Sequence, residues 1–254
     1  MKHRLKWIYA SFLLLIVLCI LMVCCGSLSD PLPKGKQGPL AERLADRMLE
    51  RINLPAFEKA QGAKWQFRSH HYLWHRGLHR VRVTLSDDLI VYLDLNQQQG
   101  WSLEEGKRSS PIEESNHVKA AIKAFNNDSF WAFAPFKVRD SGTSRALVNT
   151  KNGQALLVFY KSGGSTPGDH YLWHLDQNDR PTSWQMWVSI IPLGGVSSTW
   201  SGWVKTSSGA WVATKHKTSL LDLEIQDFEV TTRFESLEER DEQLVGTWPE
   251  NLSK

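Results

Sequence analysis

The segment Phe159–Val204 constrains the fold most, because its β-prone aromatic runs carry apolar side chains on both faces. Glycine and proline residues separate these runs and favour turns between short strands. Side chains alternate in direction along a strand, yet Leu172 lies opposite to Trp173, and Trp187 lies opposite to Trp184. A sheet with one face in water would alternate apolar and polar residues more regularly. We therefore expect apolar cover on both faces of this part of the sheet.

Composition indicates one globular domain without a nucleic-acid partner. The chain has 254 residues, and no linker interrupts residues 63–230. Its formal charge of +3 comes from Lys2, Arg4 and Lys6, since removing these three from 30 Lys and Arg residues leaves 27 against 27 Asp and Glu residues. A body with balanced charge lacks the basic surface that nucleic-acid binding requires.

The N-terminal segment has the layout of an export signal, with a charged start, an apolar centre and a small-residue exit. The apolar run Trp7–Cys25 has 19 residues, which at ~1.5 Å per residue is also long enough to cross a bilayer. All three cysteines lie in this run, so the body has no disulfide framework, thiolate metal site or cysteine nucleophile. The segment is a lipoprotein signal, an uncleaved membrane anchor or an ordinary cleaved signal. Each alternative places the body outside the cytoplasm.

The end of this segment resembles a bacterial lipoprotein signal, in which a cysteine is acylated and becomes the new N-terminus. Cys25 follows a small residue and precedes Gly26, whereas Cys24 follows Val23, a poor residue at that position. We predict Cys25 as the lipid anchor, with Cys24 as the alternative. Neither Gly26 nor Ser27 resembles the Asp-type inner-membrane retention signal of enterobacterial lipoproteins. The resemblance therefore implies a periplasm-facing protein of the cell envelope attached to the outer membrane.

Proline- and glycine-rich stretches and changes in composition predict four parts of the chain. They are a signal or anchor at 1–25, a flexible tether at 26–38, a single domain at 39–234 and a polar tail at 235–254. Two amphipathic helices are expected in the domain. The first carries an apolar stripe and ends before Pro55; its residues are Leu40, Leu44, Met48 and Ile52. The second begins at Ser110 with a capping Glu113 and gives way at Asn126–Asn127 to an aromatic segment. Alternating apolar residues predict roughly ten strands, with a hairpin turn at 86–88.

This layout resembles the LolA/LolB/LppX-like superfamily of bacterial lipoproteins. The segments Asn126–Arg145 and Ser162–Trp173 are similar to uncharacterised bacterial lipoproteins. The resemblance implies an α+β fold: a strongly curved antiparallel half-barrel of about ten strands, covered by two or more α-helices. It also implies an apolar cavity that takes lipid or acyl chains. No family functional residue is carried over, because no motif matches one.

The aromatic residues are the strongest candidates for a binding site. They are too many for a surface loop, so they either fill the core or line an apolar cavity between helices and sheet. We predict seven ligand-binding residues: Phe130, Trp131, Phe133, Phe136, Trp173, Trp184 and Trp187. Two narrow helix stripes are expected to leave part of this aromatic surface uncovered.

Catalytic and metal sites are not predicted. His71, His75 and His79 would share one face of an extended strand but stand ~13 Å apart, so a metal site would need His170 or His174 from another strand. We therefore expect no metal and no cofactor. A Ser165, Asp169 and His170 set is a weak hydrolase candidate, because the glycines around Ser165 do not fit a nucleophile elbow.

These observations favour a non-catalytic carrier that binds a lipid or another apolar ligand and attaches to the membrane through its acyl anchor. A structural envelope lipoprotein with a closed core is the first alternative. A hydrolase that uses His and Asp groups near residues 169–174 is the second. An open apolar cavity would favour the carrier, a solid core the structural protein, and convergent His and Asp groups the enzyme.

Overall fold

A computed structural model describes residues 29–162, 166–237, 241–246 and 248. The predicted export signal and the candidate anchor Cys25 lie outside the described residues. In the described part of the chain, no helix is long and apolar enough to cross a membrane.

The described residues form four α-helices, and the first of them carries the predicted apolar stripe. The helices are α1 (Pro39–Arg51), α2 (Leu54–Glu58), α3 (Pro111–Phe133) and α4 (Glu242–Val245). Leu44, Met48 and Ile52 are buried, whereas Leu40 at the start of the stripe is 55% exposed. The predicted N-terminal cap of α3 is confirmed, since the Glu113 carboxylate accepts a hydrogen bond from the Ser110 amide at 3.0 Å.

The described residues also form fourteen strands, and the predicted turn at 86–88 joins two of them. The first seven are β1 (Gly62–Phe67), β2 (His70–His75), β3 (Arg80–Ser86), β4 (Leu89–Asp94), β5 (Gln99–Glu104), β6 (Lys107–Arg108) and β7 (Thr143–Thr150). The others are β8 (Gly153–Tyr160), β9 (His170–Leu175), β10 (Pro181–Trp187), β11 (Val196–Thr199), β12 (Ser201–Lys205), β13 (Trp211–Lys217) and β14 (Asp222–Thr231).

The strands form two antiparallel sheets, so the predicted α+β class with antiparallel sheet and helices is confirmed. A nine-stranded sheet has the order β12-β13-β14-β1-β2-β3-β4-β5-β6, and a five-stranded sheet has the order β11-β10-β9-β8-β7. The predicted single sheet of about ten strands is thus two sheets with more strands in total. They are joined at Trp200, because β11 pairs with β10 on one side of this residue and β12 pairs with β13 on the other. A strand that passes from one sheet to the next in this way makes a corner.

One apolar core lies between the two sheets, and the two long helices belong to it. Helix α1 packs against β7 and β8 of the five-stranded sheet, while α3 packs against β3, β4 and β5 of the nine-stranded sheet. Buried residues of both sheets share this core, among them Trp65 and Leu93 from one and Leu156 and Trp173 from the other. The interior is therefore filled by side chains from both sheets and both helices.

The outer face of the nine-stranded sheet is covered by the C-terminal segment. Phe234, Leu237 and Leu244 are at most 5% exposed and pack with Tyr92 and its neighbours in a second apolar cluster. The Asp241 carboxylate accepts a hydrogen bond from the Tyr92 hydroxyl at 2.9 Å. The described part of the predicted polar tail is therefore packed against the sheet.

The outer face of the five-stranded sheet is covered by residues Ser29–Gly38, here called the strap. Lys36 pairs with Leu147 at the β7 edge through two backbone hydrogen bonds of 2.9 Å. Gly35 lies so close to the outer face that a Cβ there would come within 2.6 Å of the Ala146 Cβ. The segment predicted as a flexible tether thus crosses the sheet and provides the second cover that the two-sided apolar pattern indicates.

Helix α3 is longer than the sequence predicts. The expected end at Asn126–Asn127 is wrong, since the helix continues to Phe133 and a 3-10 turn, Ala134–Lys137, follows it. Asparagine only weakly disfavours a helix interior, and here tertiary contacts override that preference. Asp128, directly after Asn127, has a buried carboxylate that is hydrogen-bonded to strand β2, as described below.

Candidate functional site

The structure brings six of the seven predicted ligand-binding residues into the shared interior. Phe133, Phe136, Trp173 and Trp184 are buried there, and Phe130 and Trp131 are half-buried against them. The six residues come from α3, the turn after it and strands β9 and β10, so distant segments converge on one aromatic region.

The seventh predicted residue, Trp187, lies on the outer face of the five-stranded sheet. It packs against a small apolar cluster that includes Leu157 and Leu172. Its indole Nε1 donates a hydrogen bond to the Asp30 carbonyl of the strap at 2.8 Å. Alternation along β10 explains this position, because Trp184 and Trp187 point to opposite faces.

One side of the C-terminal half of α3 faces an aromatic ring of the nine-stranded sheet, and the 3-10 turn after the helix packs on α2. Phe136 stacks on Phe57 with ring centroids 4.1 Å apart. Phe133 meets Trp65 edge-on at 5.3 Å, and Phe125 lies 6.0 Å from the same indole. Pairs of this geometry stabilise a core beyond their buried area. This side of the helix is therefore closely packed.

The other side of α3 faces three tryptophans, Trp173, Trp184 and Trp200, here called the tryptophan cluster. Each pair of their ring centroids is 5.0 Å apart, and each residue is at most 2% exposed. Phe130 stacks on Trp184 at 5.7 Å, and Trp131 approaches the same ring at 5.2 Å. The half-buried pair from α3 is thus the cover that separates this part of the cluster from the surface.

The indole N–H groups of the tryptophan cluster are buried without hydrogen-bond partners among the described residues, as are those of Trp65, Trp74 and Trp101. An N–H group that is buried without a partner forfeits its hydrogen bonds to water, which costs about 1–3 kcal/mol. The cluster therefore combines a large apolar surface with three donors directed among rings.

His216 of β13 lies beside the cluster and is only 1% exposed. Its ring centroid is 4.3 Å from that of Trp200 and 5.4 Å from that of Trp131. Burial lowers the pKa of His216 to about 4, and nearby backbone groups of Thr199 and Trp131 oppose this shift only in part. The imidazole is therefore neutral at physiological pH and adds no charge to the interior.

A buried polar contact fastens α3 to strand β2 next to these rings. The Asp128 carboxylate accepts a hydrogen bond from the Tyr72 hydroxyl at 2.5 Å and lies 2.9 Å from His70 Nδ1. Asn127 Nδ2 donates to the same carboxylate at 2.8 Å. Burial, followed by the neighbouring Asp128 charge, raises the pKa of Tyr72 well above its usual range. The contact thus holds a protonated tyrosine against a buried carboxylate.

The histidines of the two His-Tyr-Leu-Trp-His segments do not converge. Strands β2 and β9 belong to different sheets, so His71 and His75 are separated from His170 and His174. His75 stacks on Phe234, and His170 stacks on Phe159, each at 4.3 Å between centroids. Within the described ranges, no group of three or more His, Cys, Asp and Glu residues is arranged to hold a metal.

The weak hydrolase candidate is only partly described. Ser165 lies outside the described residues. The Asp169 carboxylate accepts hydrogen bonds from the Thr166 hydroxyl and, at 3.1 Å, from the Ser189 amide, so it organises the loop before β9. The His170 ring faces Phe159 on the outer side of the sheet, and burial lowers its pKa.

A polar pocket of about 230 Å³ lies on the outer side of the five-stranded sheet. It is centred on His174, Ser183 and Gln185, and the histidine Nε2 is 3.2 Å from the Gln185 side-chain oxygen. These residues alternate with the buried tryptophans of β9 and β10 and point the opposite way. The pocket is therefore separate from the aromatic interior.

Sequence reasoning missed His216, Asp128 and Tyr72 as members of the aromatic region. Tyr171 and Trp200 were recognisable as buried aromatics, and Tyr171 packs 4.7 Å from Trp184. No local pattern marks His216 or Asp128, because their partners lie far away in the chain.

Comparison with known proteins gives weak matches. The sequence matches no protein-family model and no curated protein. One similar solved structure is a DUF1329 family protein from Desulfovibrio piger, at 8% identity and a TM-score of 0.41, over 80% of this chain and 96% of that one. Another is a domain from Vibrio parahaemolyticus described as an outer membrane lipoprotein-sorting protein, at 9% identity and a TM-score of 0.35, over 79% and 97%. At these TM-scores neither match carries an argument about function.

Proposed function

We propose that this protein is a non-catalytic, lipid-anchored protein of the bacterial cell envelope that binds an apolar ligand, such as an acyl chain, between α3 and the tryptophan cluster. In the unliganded form, Phe130 and Trp131 cover the site. Ligand entry displaces this pair and places the ligand against the faces of Trp184 and its neighbours. The aromatic side chains then act as a lining as well as a core.

The observation that carries the proposal is the incomplete cover of the tryptophan cluster. Trp184 is 1% exposed, but Phe130 and Trp131, which lie on it, are only half-buried. The Trp184 ring that this pair covers carries one of the three indole N–H groups of the cluster that have no partner among the described residues. A lipid supplies both an apolar chain for the rings and ester or carboxyl oxygens that accept from an indole N–H. Amphipathic ligands of this kind fit the site better than purely polar ones.

The cellular location rests on the sequence of residues 1–27. Lys2, Arg4 and Lys6 precede the apolar run, and Cys25 is followed by small residues. We propose acylation at Cys25 and attachment to the outer membrane, with the body facing the periplasm. An anchored carrier of this type would meet its ligand at the membrane surface.

A structural envelope protein is the second candidate, and the filled interior favours it. Helix α3 is closely packed on the side of the nine-stranded sheet, where Phe133 meets Trp65 and Asp128 accepts a hydrogen bond from Tyr72. If Phe130 and Trp131 of α3 stay on the tryptophan cluster, the aromatic residues contribute only to stability. The two candidates therefore differ in whether Phe130 and Trp131 move.

The test is binding of a fluorescent fatty acid to the full-length protein after its bound lipids have been removed in detergent. The carrier predicts saturable binding with quenching of tryptophan emission, and it predicts lipid in a mass spectrum of the untreated protein. Trp131→Glu is expected to weaken binding at least tenfold while the protein stays folded. Trp248→Glu is the matched control, because Trp248 is also half-buried but packs in the second apolar cluster on the outer face of the nine-stranded sheet. A well-folded sample that binds no fatty acid saturably would leave the structural candidate.

A further inference from the structure

The loop between β10 and β11 exposes apolar residues at one end of the five-stranded sheet. Ile190 is 72% exposed, and Pro192 beside it is also exposed. Ile191 and Leu193 are half-buried. Single exposed apolar residues are common on protein surfaces. This loop differs from the more exposed Ile112 and Leu220 in its contacts with the strap, the segment that follows the N-terminal apolar run.

The strap attaches directly to this loop. The Gly194 amide donates to the Ser29 hydroxyl at 2.8 Å, and the Asp30 amide donates to the Gly194 carbonyl at 3.0 Å. The Trp187 indole Nε1 donates a third hydrogen bond to the Asp30 carbonyl. Three hydrogen bonds thus fix the start of the described chain beside the exposed isoleucine.

Two glycines make this contact geometrically specific. A Cβ on Gly194 would come within 2.5 Å of the Trp187 ring, and a Cβ on Gly195 would come within 2.5 Å of the Asp30 Cβ. Gly195 also has a φ of 77°, a left-handed conformation that other residues adopt at a cost. The loop is therefore shaped to receive the strap.

The covalent chain connects the strap to the apolar N-terminal run over a short distance. Cys25 precedes Ser29 by four residues, which span at most ~14 Å when fully extended. A membrane that holds Cys25, or that holds the whole run Trp7–Cys25, therefore lies within about this distance of Ser29, which is hydrogen-bonded to Gly194. Leu32 of the strap, 40% exposed, adds to the apolar surface at this end.

We infer that the β10–β11 loop, residues 189–195, is a second membrane-contact site that inserts Ile190 among the lipids next to the anchor. The inference rests on the membrane attachment proposed above. The strap fixes the body against the bilayer, so that one end of the five-stranded sheet faces the lipids. The covalent anchor supplies the attachment, and the loop adds a second contact that sets the orientation of the body on the lipids.

The test uses the full-length protein in vesicles of phosphatidylethanolamine and phosphatidylglycerol. A photocrosslinking amino acid replaces Ile190 in one sample. In the control it replaces Ile112, which is 79% exposed in the first turn of α3. Flotation of the vesicles measures attachment, and mass spectrometry after illumination measures lipid adducts. We expect both proteins to float and the adduct yield at 190 to exceed that at 112 several-fold. Trp187→Phe, which removes the indole donor to the strap, is expected to lower the yield at 190 without changing flotation.

Each other outcome overturns the inference. Protein that floats but forms no more lipid adducts at 190 than at 112 would show that the loop faces water or a protein partner, while the anchor stands. Protein that does not float would overturn the anchor and the loop contact together.

Discussion

Trp184 and Trp187 lie three residues apart on β10, on opposite faces of the five-stranded sheet, and their indole N–H groups meet different surroundings. Trp184 is enclosed by aromatic rings, and its Nε1 has no hydrogen-bond partner among the described residues. Trp187 is half-buried, and its Nε1 donates to the strap. The difference arises from the cover, because rings offer no carbonyl oxygen and a main-chain segment does. The inner face is stabilised by apolar area, whereas the outer face also depends on specific hydrogen bonds.

The largest expected effect is that of Trp184→Ala on stability. Removal of a fully buried indole should lower the free energy of unfolding by roughly 3–5 kcal/mol, because the cavity left between Trp173 and Trp200 cannot close completely. Trp187→Ala on the half-buried outer face should cost less than half as much. Urea unfolding at neutral pH measures both values. Equal losses for the two variants would contradict the contrast between the faces.

The next effect is a dependence of stability on pH that originates at His216. Its folded-state pKa of about 4 lies below the ordinary value of 6.5, so the unfolded state binds a proton first as the pH falls. Stability should be unaffected above pH 6.5 and should decrease as the pH falls towards 4, by about 3 kcal/mol in total. Unfolding of the wild type and of His216→Gln across this range isolates the contribution. Parallel pH profiles for the two proteins would show that His216 does not titrate in this way.

A smaller effect is expected where α3 is fastened to β2. Asp128→Ala removes the short acceptor of the buried Tyr72 hydroxyl, leaving only His70 Nδ1 at 3.3 Å among the described residues, and should cost about 2 kcal/mol. Asp128→Asn keeps a side-chain oxygen at this position and should cost less. If the inner cover opens by movement of α3, Asp128→Ala should also accelerate fatty-acid binding. Thermal unfolding and stopped-flow fluorescence measure the two properties, and an unchanged melting temperature would argue against the contact.

The smallest effect concerns the hydrogen bond of the outer face. Trp187→Phe keeps a ring against the sheet but loses the bond to Asp30, which should cost about 1 kcal/mol. Trp74→Phe is a matched control, because Trp74 is half-buried and its Nε1 has no partner among the described residues. Both variants replace an indole by a phenyl ring, but only Trp187→Phe also removes a hydrogen bond. Chemical denaturation compares the free energies of unfolding that the two variants lose. A larger loss for Trp74→Phe would reverse the interpretation.

The sequence predicts those parts of the fold whose determinants are local. Alternation places Leu172 and Trp173 on opposite covered faces, and both are buried as expected. The cap at Ser110 and the turn at 86–88 are likewise readable from adjacent residues. Six of the seven predicted aromatic residues meet in one interior because buried aromatics of neighbouring elements share the same core.

The remaining features depend on contacts between residues far apart in the chain. The continuation of α3 beyond Asn127 rests on Asp128, whose partner Tyr72 lies 56 residues away. The run 196–205 contains no glycine or proline kink at Trp200, where it changes sheets; its only glycine, Gly202, falls two residues later. The fixed position of the strap could not be predicted from its own sequence, which is rich in proline, glycine and lysine. The surface that it contacts is formed by strands much later in the chain.

The pairing of Lys36 with Leu147 also bears on self-association. The two sheets meet at the corner around Trp200, so the outermost strands away from this corner are β6 and β7. Strand β6 is only two residues long, Lys107 and Arg108, and charged short strands resist pairing with another molecule. Strand β7 has eight residues and relies on the strap to occupy part of its edge. Release of the strap would expose that edge as a template for another chain. We therefore expect the segment that leads to the proposed anchor also to limit pairing between neighbouring molecules.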